Sequence, residues 1–143
     1  MTGRRVLFVV GCPRSGTTLV QQLLNAHPDI RIGPETHFIH RFWQSRDRFG
    51  DLGGEGWSRM VRAVAGIPEL ADIGVEPAEV VADAGGLERH PGRLLLALLD
   101  RFGSGAAVTG EKTPNHLLYM PLLQDWIPEA RFIERALGIG DRP

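Results

Sequence analysis

The sequence predicts a three-layer α/β fold in which helices cover both faces of a parallel sheet. Residues 6–10 are a continuous run of valine, leucine and phenylalanine, which is typical of a strand buried on both faces. Residues 17–26 follow at once with leucine and valine at helical spacing, and this helix ends before Pro28. Residues 106–109 predict a second core strand. Strands that alternate with helices indicate a parallel sheet.

Weaker patterns predict the other elements. They are a short strand at 30–32, a helix at 35–44, a loop at 46–56, two or three helices between 57 and 102 with breaks near 66–68, 74 and 85–86, and a third core strand that begins at 131–133. In the helix at 35–44 we expect Phe38, Ile39 and Phe42 to face inward. Thr113 before Pro114 predicts a helix start, because threonine caps helices and proline suits their first turn.

Composition limits the classes of partner. The chain has 143 residues, of which 43% are hydrophobic and 23% charged, as expected for one globular domain with a modest core. The formal net charge is −1, and acids and bases are mixed along the chain. No basic stripe indicates a nucleic-acid partner or a membrane surface. Any anion-binding site must therefore be local.

The single cysteine and the amino-terminal residues indicate the cellular compartment. Cys12 is the single cysteine and cannot form an internal disulfide, which favours a reducing compartment, with the cytoplasm as the expectation. The apolar run at 6–10 is too short for a signal peptide or a membrane span. Five scattered histidines and one cysteine show no metal-ligand spacing, so no metal is expected.

A phosphate-binding loop is predicted between the first strand and the first helix. The segment Gly11-Cys-Pro-Arg-Ser-Gly-Thr-Thr18 has the outline of a P-loop. Thr17 stands where nucleoside-triphosphate P-loops carry a lysine, which argues against an ATPase, a GTPase or a nucleotide kinase. Backbone N–H groups at a helix N-terminus, hydroxyl groups and the Arg14 guanidinium remain. Together they suit a phosphate or sulfate group without a metal.

Four sequence blocks carry a resemblance to a known family. In order along the chain they are Pro13-Arg-Ser-Gly-Thr-Thr-Leu19, Asn25-Ala-His-Pro28, Gly33-Pro-Glu-Thr36 and Glu111-Lys-Thr-Pro114. Their order and spacing resemble those of bacterial sulfotransferases that use 3'-phosphoadenosine-5'-phosphosulfate (PAPS), and also those of the protein-tyrosine sulfotransferases. The resemblance implies a P-loop α/β fold and transfer of a sulfuryl group from PAPS to a hydroxyl or amine group of a small molecule or peptide.

The resemblance also implies site residues. The loop that would hold the 5'-phosphosulfate consists of Pro13, Arg14, Ser15, Gly16, Thr17 and Thr18. Arg14 would stabilise charge on the leaving group, and Lys112 would lie near the transferred group. Placed at a strand end before a helix, Lys112 occupies a usual ligand-binding position of α/β sheets. An ordinary surface lysine is the alternative.

Glu35 is the expected general base, because it matches the glutamate that the tyrosine-sulfating relatives place beside the acceptor hydroxyl. The alternative is an acidic residue in the first turn of a helix. Cytosolic aryl and steroid sulfotransferases continue Lys-Thr-His and use that histidine as the base, whereas this chain has Pro114. His37 and His40 are reserve candidates for the base, and His37 is also expected to bind the acceptor.

Arg41 resembles an arginine that helps to hold acceptor and sulfate, and a helix-surface arginine is the equal alternative. The resemblance runs from about Val6 to Ile133, so residues 1–133 are expected to form the amino-terminal part of a sulfotransferase domain. Residues 134–143 are expected to be a divergent, irregular tail without the residues that hold the 3'-phosphate. Neither Arg135 nor Arg142 matches those residues by motif. A truncated gene product is therefore expected, with an uncovered sheet edge through which chains could associate. The second hypothesis is a non-catalytic remnant that binds a nucleotide or an anion.

Overall fold

A four-stranded parallel sheet organises the protein. The computed structural model describes residues 5–12, 15–103 and 105–135. The strands are β1 (Arg5–Gly11), β2 (Ile30–Gly33), β3 (Val108–Lys112) and β4 (Arg131–Arg135). Their spatial order is β2-β3-β1-β4, and every neighbouring pair is parallel. The predicted α/β fold with a parallel sheet is confirmed.

Helices connect the strands. They are α1 (Thr17–Asn25), α2 (Glu55–Ala65), α3 (Glu69–Asp72), α4 (Pro77–Ala84), α5 (Pro91–Gly103) and α6 (Met120–Trp126), with a π-helix at Ile39–Trp43 and 3-10 helices at Arg46–Phe49 and Pro114–Tyr119. The described residues between 55 and 103 form four helices rather than the predicted two or three, and these are separated at the glycine and proline positions that predicted the breaks. In the described ranges, no helix combines the length and hydropathy needed to cross a membrane.

The two faces of β1 meet different layers. Val6, Phe8 and Val10 point to one face and belong to the main core, which also includes buried residues of α2, α4 and α5. Val9 points to the opposite face and is fully buried outside that cluster. Lys112 is paired in register with Val9, so it points to the same face, where its Nζ reaches Thr18 at the start of α1. The sheet therefore lies between α1 and the other helices.

The helix α1 begins at the predicted residue and ends at Asn25, one residue before the predicted end, but its orientation is unexpected. Leu19 and Leu23 are 59% and 65% exposed, although their spacing indicated a buried stripe. The polar residues Gln21 and Asn25 contact the sheet instead, and their side-chain amides donate to the carbonyl oxygen of Ile32 at 3.3 and 2.9 Å. Asn25 Oδ1 also accepts from the Ile32 N–H at 2.7 Å. Side chains of α1 thus satisfy backbone groups along β2, an edge strand of the sheet.

Three other segments differ from the sequence prediction. The expected helix at 35–44 is reduced to the π-helix, although Phe38, Ile39 and Phe42 are buried as predicted. The strand β3 begins at Val108 and continues through Lys112 rather than ending near Gly110. The strand β4 runs through Arg135, so residues 134 and 135 of the expected tail are extended. Residues 136–143, including Arg142, lie outside the described residues.

Candidate active site

The carboxyl ends of the parallel strands meet at one edge of the sheet. The loop before α1 follows β1, residues 34–38 follow β2, and Lys112 ends β3. From β1 the chain runs first to the β2 and β3 side of the sheet and then returns to form β4 on the other side. In open α/β sheets, ligands bind where the strand order reverses in this way.

The first turn of α1 presents backbone N–H groups at this edge. Gly16 is the N-cap residue with φ 88°, a left-handed conformation that favours glycine, and no side chain among the described residues caps the helix. The N–H groups of the first helical turn have no partner within the helix. Ser15 Oγ is buried without a hydrogen-bond partner in the described part of the chain. These features fit a phosphate or sulfate group, while Pro13 and Arg14 of the same predicted loop lie outside the described residues.

Three ionisable side chains converge beside that turn. Lys112 Nζ lies 2.5 Å from Glu35 Oε1 and 3.2 Å from Thr18 Oγ1. His37 Nε2 lies 3.0 Å from Glu35 Oε2. The Lys112 side chain is 9% exposed, whereas that of Glu35 is 35% exposed. Glu35 therefore joins a buried cation to a histidine and keeps access to solvent.

A cavity of about 410 Å³ opens onto this cluster. Its lining residues are Gly16, Thr17, Thr18, Glu35, His37, Lys112, Pro114 and Asn115. Six of these were predicted from sequence as donor-site, catalytic or substrate-binding residues. Pro114 was not predicted to line the site, and Asn115 was missed, although its place just after the end of β3 could have indicated it.

A buried network lies directly behind the cluster. Glu111 Oε2 accepts hydrogen bonds from Thr113 Oγ1 at 2.6 Å, from Thr36 Oγ1 at 2.9 Å and from the Thr36 N–H at 3.1 Å. Glu111 Oε1 lies 2.6 Å from His116 Nδ1. Thr113 Oγ1 also accepts from the His37 N–H at 3.3 Å. All of these residues except His37 are at most 1% exposed.

Glu111 stays ionised in this setting. Complete burial acts to raise the pKa of the Glu111 carboxyl. Electrostatic attraction to His116 and the hydrogen bonds from His116, Thr113 and the Thr36 backbone lower this pKa by more than burial raises it. The pKa of Glu111 is therefore held below its ordinary value. Neither Glu111 nor His116 was predicted to have a role, because a carboxylate and a histidine five residues apart in the sequence resemble ordinary surface residues.

Two of the residues predicted from sequence lie away from the cavity. Arg41 Nη1 is 3.6 Å from Glu69 Oε1, and Arg41 lines a separate cavity beside α2. His40 Nδ1 lies 3.0 Å from Gln44 Oε1 on the exposed side of the π-helix. The structure thus does not bring Arg41 or His40 to Glu35. In the described ranges, no group of three or more histidine, cysteine, aspartate or glutamate residues is arranged to hold a metal ion.

Comparisons with known proteins agree with the geometry. Residues 7–134 match the sequence model of a family described as the sulfotransferase family. The chain is similar to a protein named putative protein-tyrosine sulfotransferase from Caenorhabditis briggsae, with 30% identity over 90% of this chain and 38% of that protein. It is also similar to protein-tyrosine sulfotransferase 1 of Danio rerio, with 31% identity over 90% of this chain and 31% of that protein.

The human protein-tyrosine sulfotransferase 1 is 30% identical over 90% of this chain and 30% of its own length. The chain therefore spans about a third of the length of these relatives. The matched region contains the loop before α1, the segment with Glu35 and the end of β3.

Proposed function

The chain belongs to the sulfotransferase family, and we propose that it transfers a sulfuryl group from PAPS to a hydroxyl or amine acceptor. The observation that carries the proposal is the Glu35–Lys112 contact of 2.5 Å beside the N-terminus of α1, which no side chain of the described residues caps. This arrangement places a carboxylate and a cation next to the backbone N–H groups of the first helical turn. Sulfuryl transfer needs a base at the acceptor and positive charge at the sulfate.

The donor would bind at the start of α1. Its 5'-phosphosulfate would lie against the N–H groups of Gly16, Thr17 and Thr18, with the hydroxyl of Ser15 as a further donor. The helix dipole favours an anion at this end. Arg14 belongs to the proposed donor site on family resemblance, and Pro13 would shape the same loop. PAPS supplies the activated sulfate that is transferred.

Lys112 and Glu35 have separate proposed roles. The Lys112 ammonium would stabilise negative charge on the sulfate and the leaving phosphate, because it is held at the first turn of α1 by Thr18. The Glu35 carboxylate would accept the acceptor's proton as the acceptor oxygen bonds to sulfur and the bond from sulfur to the phosphate oxygen breaks. His37 would orient the carboxylate through the 3.0 Å contact. Arg41 is not part of the proposed site, because its guanidinium lies beside Glu69.

A phenolic hydroxyl is the acceptor to test first. The relatives are named protein-tyrosine sulfotransferases, which supports a tyrosine side chain in a peptide, and small phenols offer the same reacting group. The cavity of about 410 Å³ is open to solvent at Glu35. A cytoplasmic location, which the single cysteine Cys12 favours, stays a prediction.

Calorimetric titration with PAPS and with 3'-phosphoadenosine-5'-phosphate tests the donor site. We expect binding that is unchanged by EDTA and weaker for Arg14→Ala by about 1.5 to 3 kcal/mol, the range for a charge-assisted hydrogen bond. Binding that requires magnesium and prefers ATP would contradict the proposal.

Transfer from radiolabelled PAPS to tyrosine peptides and small phenols tests the activity. Glu35→Gln should lower turnover by about a hundredfold while donor affinity is kept, as expected for loss of a general base. If His37→Ala abolished turnover and Glu35→Gln did not, the base would be His37. Donor binding without transfer to any acceptor would support the alternative function, a non-catalytic nucleotide- or anion-binding protein.

A further inference from the structure

We propose that Glu111 is a positioning residue that sets the contact between Glu35 and Lys112. The contact itself is a property of the structure, and only its importance for sulfuryl transfer rests on the proposed function. Glu111 precedes Lys112 in β3, and its fully buried side chain points to the opposite face of the sheet from Lys112. It therefore acts from behind the site and does not touch the cavity.

The Glu111 carboxylate ties together the two segments that carry the pair. The segment after β2 contributes the N–H and the hydroxyl of Thr36, which both donate to Oε2. The segment after β3 contributes the hydroxyl of Thr113 to the same oxygen. Thr36 adjoins Glu35, and Thr113 adjoins Lys112. One buried oxygen atom thus holds the backbone on both sides of the Glu35–Lys112 contact.

His116 extends this connection from the other carboxylate oxygen. Its Nδ1 lies 2.6 Å from Glu111 Oε1, and its Nε2 accepts from the Ile39 N–H at 3.4 Å. Acceptance at Nε2 places the ring proton on Nδ1, facing the carboxylate. The histidine thereby fixes the start of the π-helix relative to the end of β3. Both ends of the 36–39 segment are held through Glu111.

The segment held in this way contains a strained residue. His37 has φ 50°, a left-handed backbone conformation that is unfavourable for residues other than glycine. Such a conformation persists only where neighbouring contacts enforce it. The Thr113 hydroxyl accepts from the His37 N–H while it donates to Glu111. Loss of the Glu111 charge would weaken this restraint. We expect Glu35 to move away from Lys112 as the segment relaxes.

The chain offers a direct probe, because Lys112 is its only lysine. The rate of Lys112 acylation by an amine-reactive reagent, followed by peptide mass spectrometry, reports how firmly the ammonium group is held. Glu111→Gln keeps the side-chain shape and removes the negative charge. We expect the rate to rise about tenfold, which corresponds to the loss of one hydrogen bond's free energy. Neither donor nor acceptor is needed, so this test is independent of whether the chain transfers sulfate.

Two comparisons separate positioning from simple destabilisation. Thr109→Val removes another fully buried hydrogen bond of β3, from Thr109 Oγ1 to the Leu99 carbonyl oxygen at 2.5 Å, two residues before Glu111. It should lower the melting temperature and leave the acylation rate unchanged. Glu35→Gln alone should raise the rate, and adding Glu111→Gln should raise it no further, because both changes act through the same contact.

An unchanged rate in Glu111→Gln would overturn the proposal. An equal rise of the acylation rate in Thr109→Val would also overturn it. So would a double variant in which the rate increases caused by Glu35→Gln and by Glu111→Gln multiply. If Glu111→Gln does not fold, Thr113→Val and Thr113→Ser replace it, because valine loses the shared hydroxyl and serine keeps it. We then expect faster acylation in the valine variant and the wild-type rate in the serine variant. Equal rates in these two variants would also overturn the proposal.

Discussion

The Nε–H group of Arg135 donates to the carbonyl oxygen of Ser15 at 2.7 Å and so joins the end of β4 to the start of α1. The Arg135 carbonyl oxygen in turn accepts from the Cys12 N–H at 3.2 Å. The loop before α1 is thus held on both of its sides by one residue of β4. The Arg135 guanidinium also lies beside Gly16, 3.6 Å from where a Cβ atom of that glycine would stand.

The first prediction concerns this brace. Arg135→Ala should weaken binding of inorganic phosphate and of 3'-phosphoadenosine-5'-phosphate by about 1 to 2 kcal/mol, because it removes a hydrogen bond that shapes the loop and a positive charge beside it. Calorimetric titration measures the change. Arg131→Ala is the matched control, since Arg131 is an exposed arginine at the start of the same strand. Equal losses in the two variants would show that only net charge matters.

Part of the site could be predicted because parallel strands all end at the same edge. The apolar run of β1 and the hydroxyls after it placed Gly16, Thr17 and Thr18 at this edge, and family resemblance added Glu35 and Lys112. The structure brings these five together around one cavity. Prediction was possible here because these residues end a strand or lie in the segment that follows one.

Other features depend on tertiary contacts that a sequence does not express. The leucines of α1 predict a buried stripe, but Gln21 and Asn25 satisfy the edge of β2, and Leu19 and Leu23 are turned outward. Glu111 and His116 can both be buried because each is the polar partner of the other, and this pairing cannot be recognised from either residue alone. Arg41 was placed at the site by resemblance, whereas its contact with Glu69 depends on where α3 packs.

The second prediction tests how closely β3 approaches β1. A Cβ atom on Gly110 would lie 1.6 Å from the carbonyl oxygen of Leu7, so Gly110→Ala requires the two strands to separate. We expect the free energy of unfolding to fall by about 2 kcal/mol or more, as for severe overpacking. Gly86→Ala is the control, because a Cβ atom there meets nothing within 4 Å. Urea denaturation measures both, and equal stability of the two variants would contradict the close approach.

The third prediction concerns the outward face of α1. Leu19 and Leu23 are more than half exposed, so replacing both with glutamine makes this exposed surface polar and loses little packing. We expect the melting temperature to change little and the concentration at which the protein aggregates to rise. Leu123→Gln is the contrasting variant, because Leu123 is fully buried in α6 and should not tolerate an amide. Strong destabilisation by the double glutamine variant would show that this face is packed.

The fourth prediction is an acid-dependent loss of stability that originates at Glu111. Its pKa in the folded protein lies below the ordinary value of 4.5, so the carboxylate stabilises the fold above that pH. The stabilisation is lost as the pH falls through the lowered pKa. Glu111→Gln should therefore reduce the free energy of unfolding at pH 7 by about 1 to 3 kcal/mol, the range for a disrupted buried hydrogen-bonded group. The difference from the wild type should shrink as the pH approaches 3.

Salt separates this effect from that of the other carboxylate with a lowered pKa. Asp83 is hydrogen-bonded by the Arg101 guanidinium at 2.6 and 2.8 Å, which outweighs the small effect of burial and lowers the pKa of Asp83. Asp83 and Arg101 are exposed enough for salt to screen their attraction, whereas Glu111 is fully buried. In urea denaturation between pH 3 and pH 7, Asp83→Asn should alter the pH dependence at low salt and much less at high salt. The effect of Glu111→Gln should persist at both salt concentrations. A Glu111→Gln difference that is the same at pH 3 and pH 7 would show that its carboxyl does not titrate with folding.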